Sequence, residues 1–274
     1  LASKKSEGKK IKFNEDEYEV KNLESYDFKN SDIAFFSAGS EISKIYAPLA
    51  EKKECYVVDN TSYFRMNNDV PLIVPEVNAA DLEDFFNDDE RSNIIANPNC
   101  STIQMVVALK PLHDQAIINR VIVSTYQSVS GAGKDAMDEL FNQTQNIYAN
   151  KNIEKNKFTK QIAFNVIPHI DTFMEDRYTK EEWKMTVETK KILDPSISLS
   201  ATCVRVPVFV GHSESVNVEF NKDVNAEKIR ECLKKAPGCK VVDETKDGGY
   251  ITPVESSGEF VTYISRIRDD QTQK

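Results

Sequence analysis

The chain reads as an α/β protein with two unlike halves. A parallel, doubly wound sheet is predicted over residues 1–99, and an α+β half with a mostly antiparallel sheet over 100–274. Three observations carry this. Up to residue 99, short apolar runs alternate with helical periodicity, and strands that alternate with helices pair in parallel. Beyond Cys100 the apolar runs lengthen into strand-like stretches broken by three helical segments. Between them lies a seam, "NPNCST" at 97–102, which closes one apolar run and opens a helix.

In order, "SDIAFFSAG" is a strand ending at Gly39, "SEISKIYAPLAEKK" a helix, and "CYVVDN" a strand with a polar end. The apolar "VPLIVPEV", a helical "AADLEDFFND" and the strand "NIIANPN" follow. Ligands of doubly wound sheets bind beyond the strand C-termini, where "SAG", "DNTS" and "NPNC" fall. In the second half "RVIVSTYQSVSGAG", "SLSATCVRVPVFVGHSESVNVEF", "GGYITPVESSGEF" and "VTYISRIRD" read as long strands. The helices are "KDAMDELFNQTQNIYAN", "TKEEWKMTVETKKIL" and "NAEKIRECLKKA". No linker, repeat or low-complexity segment interrupts them.

A formal charge of −9 argues against nucleic-acid binding, because phosphate is repelled overall. No apolar run approaches the ~20 residues that span a bilayer, so no membrane partner is expected. Five cysteines, an odd number without a C-x-x-C, suggest neither a disulfide framework nor a zinc site. No metal is expected, and a reducing cytoplasm is the simple location. Cys55 and Cys203 lie in strand-like runs and read as packing. No G-x-G-x-x-G occurs, since "GAGKDA" at 131–136 lacks the third glycine. A doubly wound domain would already have spent its first strand and helix before Leu1, so Leu1 is expected to be internal to a longer polypeptide.

Cys100 stands where chemistry would put a nucleophile. Helix N-termini carry orphan N–H groups and partial positive charge, which favour thiolate over thiol. Asn97, Asn99, Ser101 and Thr102 are capping residues around the same turn. Of three histidines, His113 and His169 read as structural, whereas His212 follows a glycine just past a strand. Its ordinary pKa of about 6.5 suits proton exchange near neutrality. Arg205 lies in the same run, and a regular strand would send the two side chains to opposite faces. A bend at Pro207 would bring them together. Glu181 and Lys184 share one helix face.

Taken together, "NPNCST", "QSVSGAG", "EEWK" and "RVPVFVGHSE" resemble the aspartate-semialdehyde dehydrogenases, in the bacterial branch with N-C-S-T at the nucleophile. The resemblance runs from "LASKKSEGK" through "DNTSYFRMNNDVPLIVPEVN" to "GGYITPVESSGE", in the family's order. It departs at the ends, where the glycine-rich phosphate loop and the closing C-terminal helix are missing. This implies a Rossmann-like NADP-binding domain, incomplete here, and a catalytic and dimerisation domain. The implied reaction is NADPH-dependent reductive dephosphorylation of L-aspartyl 4-phosphate to aspartate 4-semialdehyde through a cysteine thioester, releasing inorganic phosphate. That step leads toward lysine (through diaminopimelate), threonine and methionine, and the enzyme is expected as a homodimer or homotetramer.

The resemblance also assigns roles. Cys100 is the nucleophile, His212 the acid/base and Gln127 the residue orienting the acyl group. Arg205 takes the substrate carboxylate through a bidentate contact. Glu181 takes the ammonium, a choice over Glu182 that rests on motif register alone. Lys184 and Arg65 hold phosphate. The backbone N–H of Cys100, with the Asn99 amide, is the candidate oxyanion site. Ser37 and Gly39, with Ser130 and Gly131, fall on loops that let backbone approach the cofactor. Ser3, Lys5 and Ser6 form a hydroxyl and cation cluster suited to the 2′-phosphate, which favours NADPH. The acidic "EDFFNDDER" is expected to be a surface loop without chemistry. Three alternatives are an N-acetyl-glutamyl-phosphate reductase, a cysteine hydrolase built on Cys100 and His212, and a non-catalytic truncated fragment. Glu181 beside Lys184 disfavours the first, since an acylated nitrogen carries no ammonium to pair. The alternation of the first half and the two cations disfavour the second. The missing ends favour the third for a chain of these residues alone.

Overall fold

The computed structural model describes residues 1–86 and 92–272 of the 274-residue chain. They fold into two compact units, residues 1–70 with 92–96 and residues 71–86 with 97–272.

The first unit opens with an antiparallel hairpin of β1 (Lys10–Phe13) and β2 (Asp16–Glu19). Asn14 takes a left-handed φ of 56° in its turn, which asparagine tolerates. Sequence periodicity gives no sign of this hairpin. The strands β3 (Ile33–Phe36), β4 (Tyr56–Asp59) and β5 (Ile94–Ala96) then form a parallel sheet in that order. Crossing from β3 to β4 is α1 (Ser40–Glu51), which packs on the sheet through Ser43, Ala47 and Ala50, one helical face. At the C-terminal end of β4, buried Asp59 accepts hydrogen bonds from Ser43 Oγ at 2.8 Å and from the Thr61 N–H and hydroxyl at 2.9 Å each. They fix the "DNTS" turn, and the strand ends lie where the alternation predicts.

The second unit begins with two short helices, α2 (Pro75–Asn78) and α3 (Ala80–Phe86). The end of the acidic stretch expected as a surface loop, residues 87–91, lies outside the described residues. Its frame is α4 (Cys100–Ala116), β6 (Ile118–Gln127), α5 (Lys134–Tyr148), α6 (Lys180–Ile192), β7 (Ser198–Arg205) and β8 (Ser213–Phe220). Next come α7 (Ala226–Leu233), β9 (Cys239–Val241), α8 (Pro253–Ser256) and β10 (Thr262–Ile264). The sheet runs β7-β6-β8, with β6 and β7 parallel and β6 and β8 antiparallel. It is therefore mixed, where long strand runs predict a mostly antiparallel one. The reason is the connection: a chain that passes through two helices between β6 and β7 can return parallel.

Two further readings change. The stretch 198–220 is two strands, separated by a turn at Pro207 in which the Val208 N–H reaches the Val206 carbonyl at 2.9 Å. "GGYITPVESSGEF" holds a short helix, not a strand, because Thr252 and Glu255 close a reciprocal capping box.

Helices α4 and α6 cover one sheet face. Met105, Leu109 and Leu112 from α4, Met185 from α6, Val121 and Val123 from β6, and Ala201 and Cys203 from β7 form the core there. Burying each large side chain contributes about 1.5–3 kcal/mol. Pro111 inside α4 cannot donate to the Val107 carbonyl, and the Cys239 thiol does so instead at 3.6 Å. Cys55 and Cys203 are fully buried, as their strand positions predict, and burial pushes the Cys203 thiol up to about 12.

Candidate active site

Cys100 is the first residue of α4 and is exposed. Asn99 caps the helix, its Oδ1 accepting from the Ser101 and Thr102 N–H groups at 3.0 and 3.3 Å. Two carboxylates of α6 hold the same residue. The Asn99 N–H donates to Glu188 Oε2 at 2.7 Å, and its Nδ2 to Glu181 Oε1 at 2.9 Å. The thiol thus sits on a turn clamped from three directions.

Gln127 ends β6, 1% exposed, and its Nε2 donates to the same Glu181 oxygen at 3.1 Å, while its Oε1 accepts from Thr125 at 3.0 Å. The other Glu181 oxygen takes Lys184 Nζ at 3.1 Å. Burial opposes charge on Glu181, but the Lys184 ammonium and the two amides outweigh it and hold the carboxyl below its ordinary range. A carboxylate has about four acceptor sites, and three protein donors leave room for another. Lys184 also reaches Asp171 at 2.7 Å. Burial lowers the Lys184 pKa, yet the paired carboxylates win and hold it above the usual lysine value.

The two neighbouring glutamates, inseparable by spacing alone, face different ways. Glu182 closes the capping box of α6 with Thr179 and accepts the Cys203 N–H at 2.9 Å, tying α6 to the outer edge of β7. Glu181 faces Asn99, Gln127 and Lys184.

Arg205 ends β7 directly opposite Gln127 in the ladder, so both lie on the inner face. It is buried, and its Nη1 donates to the Ser128 carbonyl at 2.6 Å. Burial lowers its pKa, against the charges of Glu181, Cys100 and Cys203. The turn at Pro207 then brings His212 to the same place. A Cβ on Gly131 would stand 3.2 Å from both Arg205 Nη1 and His212 Nε2, so a glycine there lets the two groups converge. The expected bend is present.

His212 departs from expectation in its proton chemistry. Burial, helped by the Arg205 guanidinium, lowers its pKa from 6.5 to about 4. The ring is therefore neutral at pH 7. Its Nδ1 accepts the Ser128 N–H at 3.0 Å, which places the proton on Nε2, the nitrogen beside Gly131 and Arg205. Ser128 Oγ lies 3.0 Å from Nδ1 and 3.0 Å from Ser130 Oγ.

The remaining candidates belong to the first unit. Arg65 is buried and donates from Nη2 to the Asn60 carbonyl at 3.0 Å. Ser37 and Gly39 are exposed at the C-terminal end of β3, where Gly39 precedes α1 with φ 98°. Ser3 and Lys5 are exposed and Ser6 half-buried on a single 3-10 turn.

Spacing gives no sign of Asp171, Glu188 or Ser128. The signal available is buried charge: Glu188 falls among apolar positions of α6, where only a partnered carboxylate is tolerated. His113 is structural, with Nδ1 accepting the Ile118 N–H and Nε2 3.4 Å from Asp194. His169 stacks on Phe173. No group of His, Cys, Asp and Glu among the described residues could hold a metal ion, and no described helix is long and apolar enough to cross a membrane.

Known proteins of similar sequence and structure identify the family. Residues 1–85 match the semialdehyde dehydrogenase NAD binding domain, and residues 109–274 the semialdehyde dehydrogenase dimerisation domain. The chain is 50% identical over 274 residues to aspartate-semialdehyde dehydrogenase of Rickettsia bellii, covering all of this chain and 80% of that protein. Against the Aquifex aeolicus enzyme it is 53% identical, covering 98% and 79%. The crystal structure of aspartate semialdehyde dehydrogenase II from Vibrio cholerae superposes with a TM-score of 0.94 at 47% identity, over 99% of this chain and 79% of that one. The dinucleotide-type domain identifies an oxidoreductase using a nicotinamide cofactor, and the second domain supports oligomer formation. The chain belongs to the aspartate-semialdehyde dehydrogenase family.

Proposed function

We propose that the protein reduces L-aspartyl 4-phosphate to aspartate 4-semialdehyde with NADPH, releasing inorganic phosphate, on the way to lysine, threonine and methionine. The observation that carries this is Cys100 at the capped start of α4, within a network joining Asn99, Gln127 and Glu181 and beside Arg205. In this reading residues 1–99 serve the nucleotide, residues 100–274 the chemistry, and a homodimer or homotetramer in the reducing cytoplasm is the working form.

The Cys100 sulfur attacks the acyl phosphate, the C–S bond forms, and phosphate leaves with the electrons of the C–O bond. Helix-start N–H groups and partial positive charge favour the thiolate. Arg205 offers a planar fork to the α-carboxylate, and Glu181 its unused acceptor capacity to the ammonium. Lys184, and by the resemblance Arg65, serve phosphate. His212 presents Nε2–H to the acyl oxygen, stabilising the oxyanion of the tetrahedral state alongside the Cys100 N–H. A neutral donor suits this step, since the oxygen returns to a carbonyl when the intermediate collapses.

The turn Ser37–Gly39 fits a dinucleotide: it lies at a parallel strand end before a 12-residue helix, and a Cβ on Gly39 would meet nothing within 4 Å. Ser3, Lys5 and Ser6 would hold the 2′-phosphate, with Ser130 and Gly131 on the nicotinamide side. When bound, the nicotinamide supplies hydride to the thioester carbon. Replacing Cys100 with alanine in the full-length gene product abolishes phosphate-dependent oxidation of aspartate semialdehyde in this account. Substantial turnover by that variant, free of wild-type enzyme, would sink it.

A further inference from the structure

One half-buried polar pair, Gln104 and Glu214, lies outside the site chemistry. Gln104 stands one helical turn below Cys100 on α4, and its Nε2 donates to Glu214 Oε1 at 2.6 Å. Glu214 is the second residue of β8 and stands two residues beyond His212. Across the ladder Glu214 faces Thr125 of β6, which in turn faces Cys203 of β7. Thr125 and Cys203 are fully buried, so this row of three lies on the inner face. The next row toward the site holds Gln127 and Arg205. Glu214 and Gln104 thus sit one row beneath the nucleophile and its hydrogen-bond donor.

We propose that the Gln104–Glu214 hydrogen bond is a strut that sets the distance between Cys100 and His212, with Glu214 a positioning residue for the reaction. This rests on the reading of Cys100 as nucleophile and His212 as oxyanion donor. The anchors at Asn99 run from α4 to α6, through Glu188 and Glu181. They fix the cysteine against the ammonium site but leave its separation from β8 undetermined. The Gln104–Glu214 bond joins α4 to β8, two elements that pack together. Each end of it is a short, stiff span from one reacting group: one helical turn from Cys100, two residues from His212.

The chemistry of the pair fits a strut better than a charge. Burial raises the Glu214 carboxyl to about 8, against the Gln104 donation, so the group is mostly neutral at pH 7. The titratable and charged groups of the same face are Cys203 and Arg205 on β7, Glu181 and Glu182 on α6, and His212 just before β8. Glu181, Glu182 and Glu214 all oppose ionisation of the Cys203 thiol between them. A third ionised carboxylate there would repel the other two, whereas a protonated one accepts from Gln104 without that cost.

The test uses the full-length gene product and steady-state oxidation of aspartate semialdehyde. Gln104→Leu and Glu214→Leu should each lower kcat by about 10- to 100-fold, the cost of ångström-scale misplacement, with the semialdehyde KM within about 2-fold of wild type. The double variant should be no slower than the slower single one, because either change removes the same bond. Glu214→Gln, neutral and able to accept from Gln104, should keep at least about a third of wild-type kcat. Near-wild-type kcat in a folded Glu214→Leu protein, or losses that multiply in the double variant, would overturn the proposal. If the leucine variants do not fold, Glu214→Gln decides: a kcat loss beyond about 10-fold overturns it, and retention supports it. Cys100→Ala is measured beside them. Turnover by that variant removes the underlying reading of the site, while an inactive Cys100→Ala with active leucine variants removes the strut alone.

Discussion

Asn99 and Glu181, far apart in sequence, meet through a 2.9 Å hydrogen bond from Nδ2 to Oε1, and the same asparagine caps the helix that begins with Cys100. The turn that carries Cys100 and the Glu181 carboxylate are thus one rigid piece. Asn99→Ser keeps a capping oxygen but cannot reach Glu181, whereas Asn99→Ala loses both. Thermal unfolding should show both variants destabilised by loss of the bond to Glu181, and the alanine variant by about 1 kcal/mol more than the serine one. Both should lose about 10-fold or more in kcat/KM, a charged hydrogen bond being worth about 1.5–3 kcal/mol. An active serine variant would mean that the bond is only structural.

Arg205→Lys keeps charge and removes the planar fork. We expect kcat/KM to fall at least about 10-fold, equivalent to about 1.4 kcal/mol. Buried beside Gln127, a lysine would also leave the Ser128 carbonyl without its 2.6 Å donor. Kinetics close to wild type would assign Arg205 to structure alone.

Lys184 and Arg65 are expected to govern phosphate, the co-substrate in the oxidative direction. Removing either should raise the phosphate KM more than the semialdehyde KM. The Lys184 variant should also lose stability, because Glu181 and Asp171 would face each other without their shared ammonium. The opposite pattern of KM changes would reverse the assignment.

Acid and alkaline stability should depend on different residues. The His212 pKa is depressed, so its contribution to stability is complete above pH 6.5 and is lost as pH falls toward 4. The Glu214 pKa is raised, so its contribution is complete below pH 4.5 and is lost as pH rises through about 8. Melting curves of His212→Gln should converge with those of wild type between pH 6.5 and 4. Glu214→Gln should gain on wild type from pH 4.5 to 8. Curves that stay parallel across these windows would contradict both assignments.

Much of this site is legible in the chain because its signals are local. Asn99 before Cys100 reads as a cap, and Gln127 ends a strand whose alternation is plain. Arg205 and His212 demand a bend, and Pro207 marks where it falls. What stays hidden depends on pairing between distant segments. Gln104 and Glu214 stand 110 residues apart, and Asn99 and Glu188 89. No periodicity in either segment announces its partner. The same holds for strand direction, since β6 meets a parallel neighbour only because two helices intervene. The neutral state of His212 is tertiary too: it comes from burial and from Arg205, not from the histidine's own neighbours.

The central claim is that the acyl group passes through the Cys100 sulfur. The full-length gene product, mixed with aspartate semialdehyde and NADP in the absence of phosphate and quenched in acid, should carry one aspartyl group. Peptide mass mapping should place it on Cys100 and find none on Cys55, Cys203, Cys232 or Cys239. Addition of phosphate before the quench should remove it. An unmodified Cys100 in enzyme that forms NADPH under these conditions, or an aspartyl group on another residue, would contradict the account.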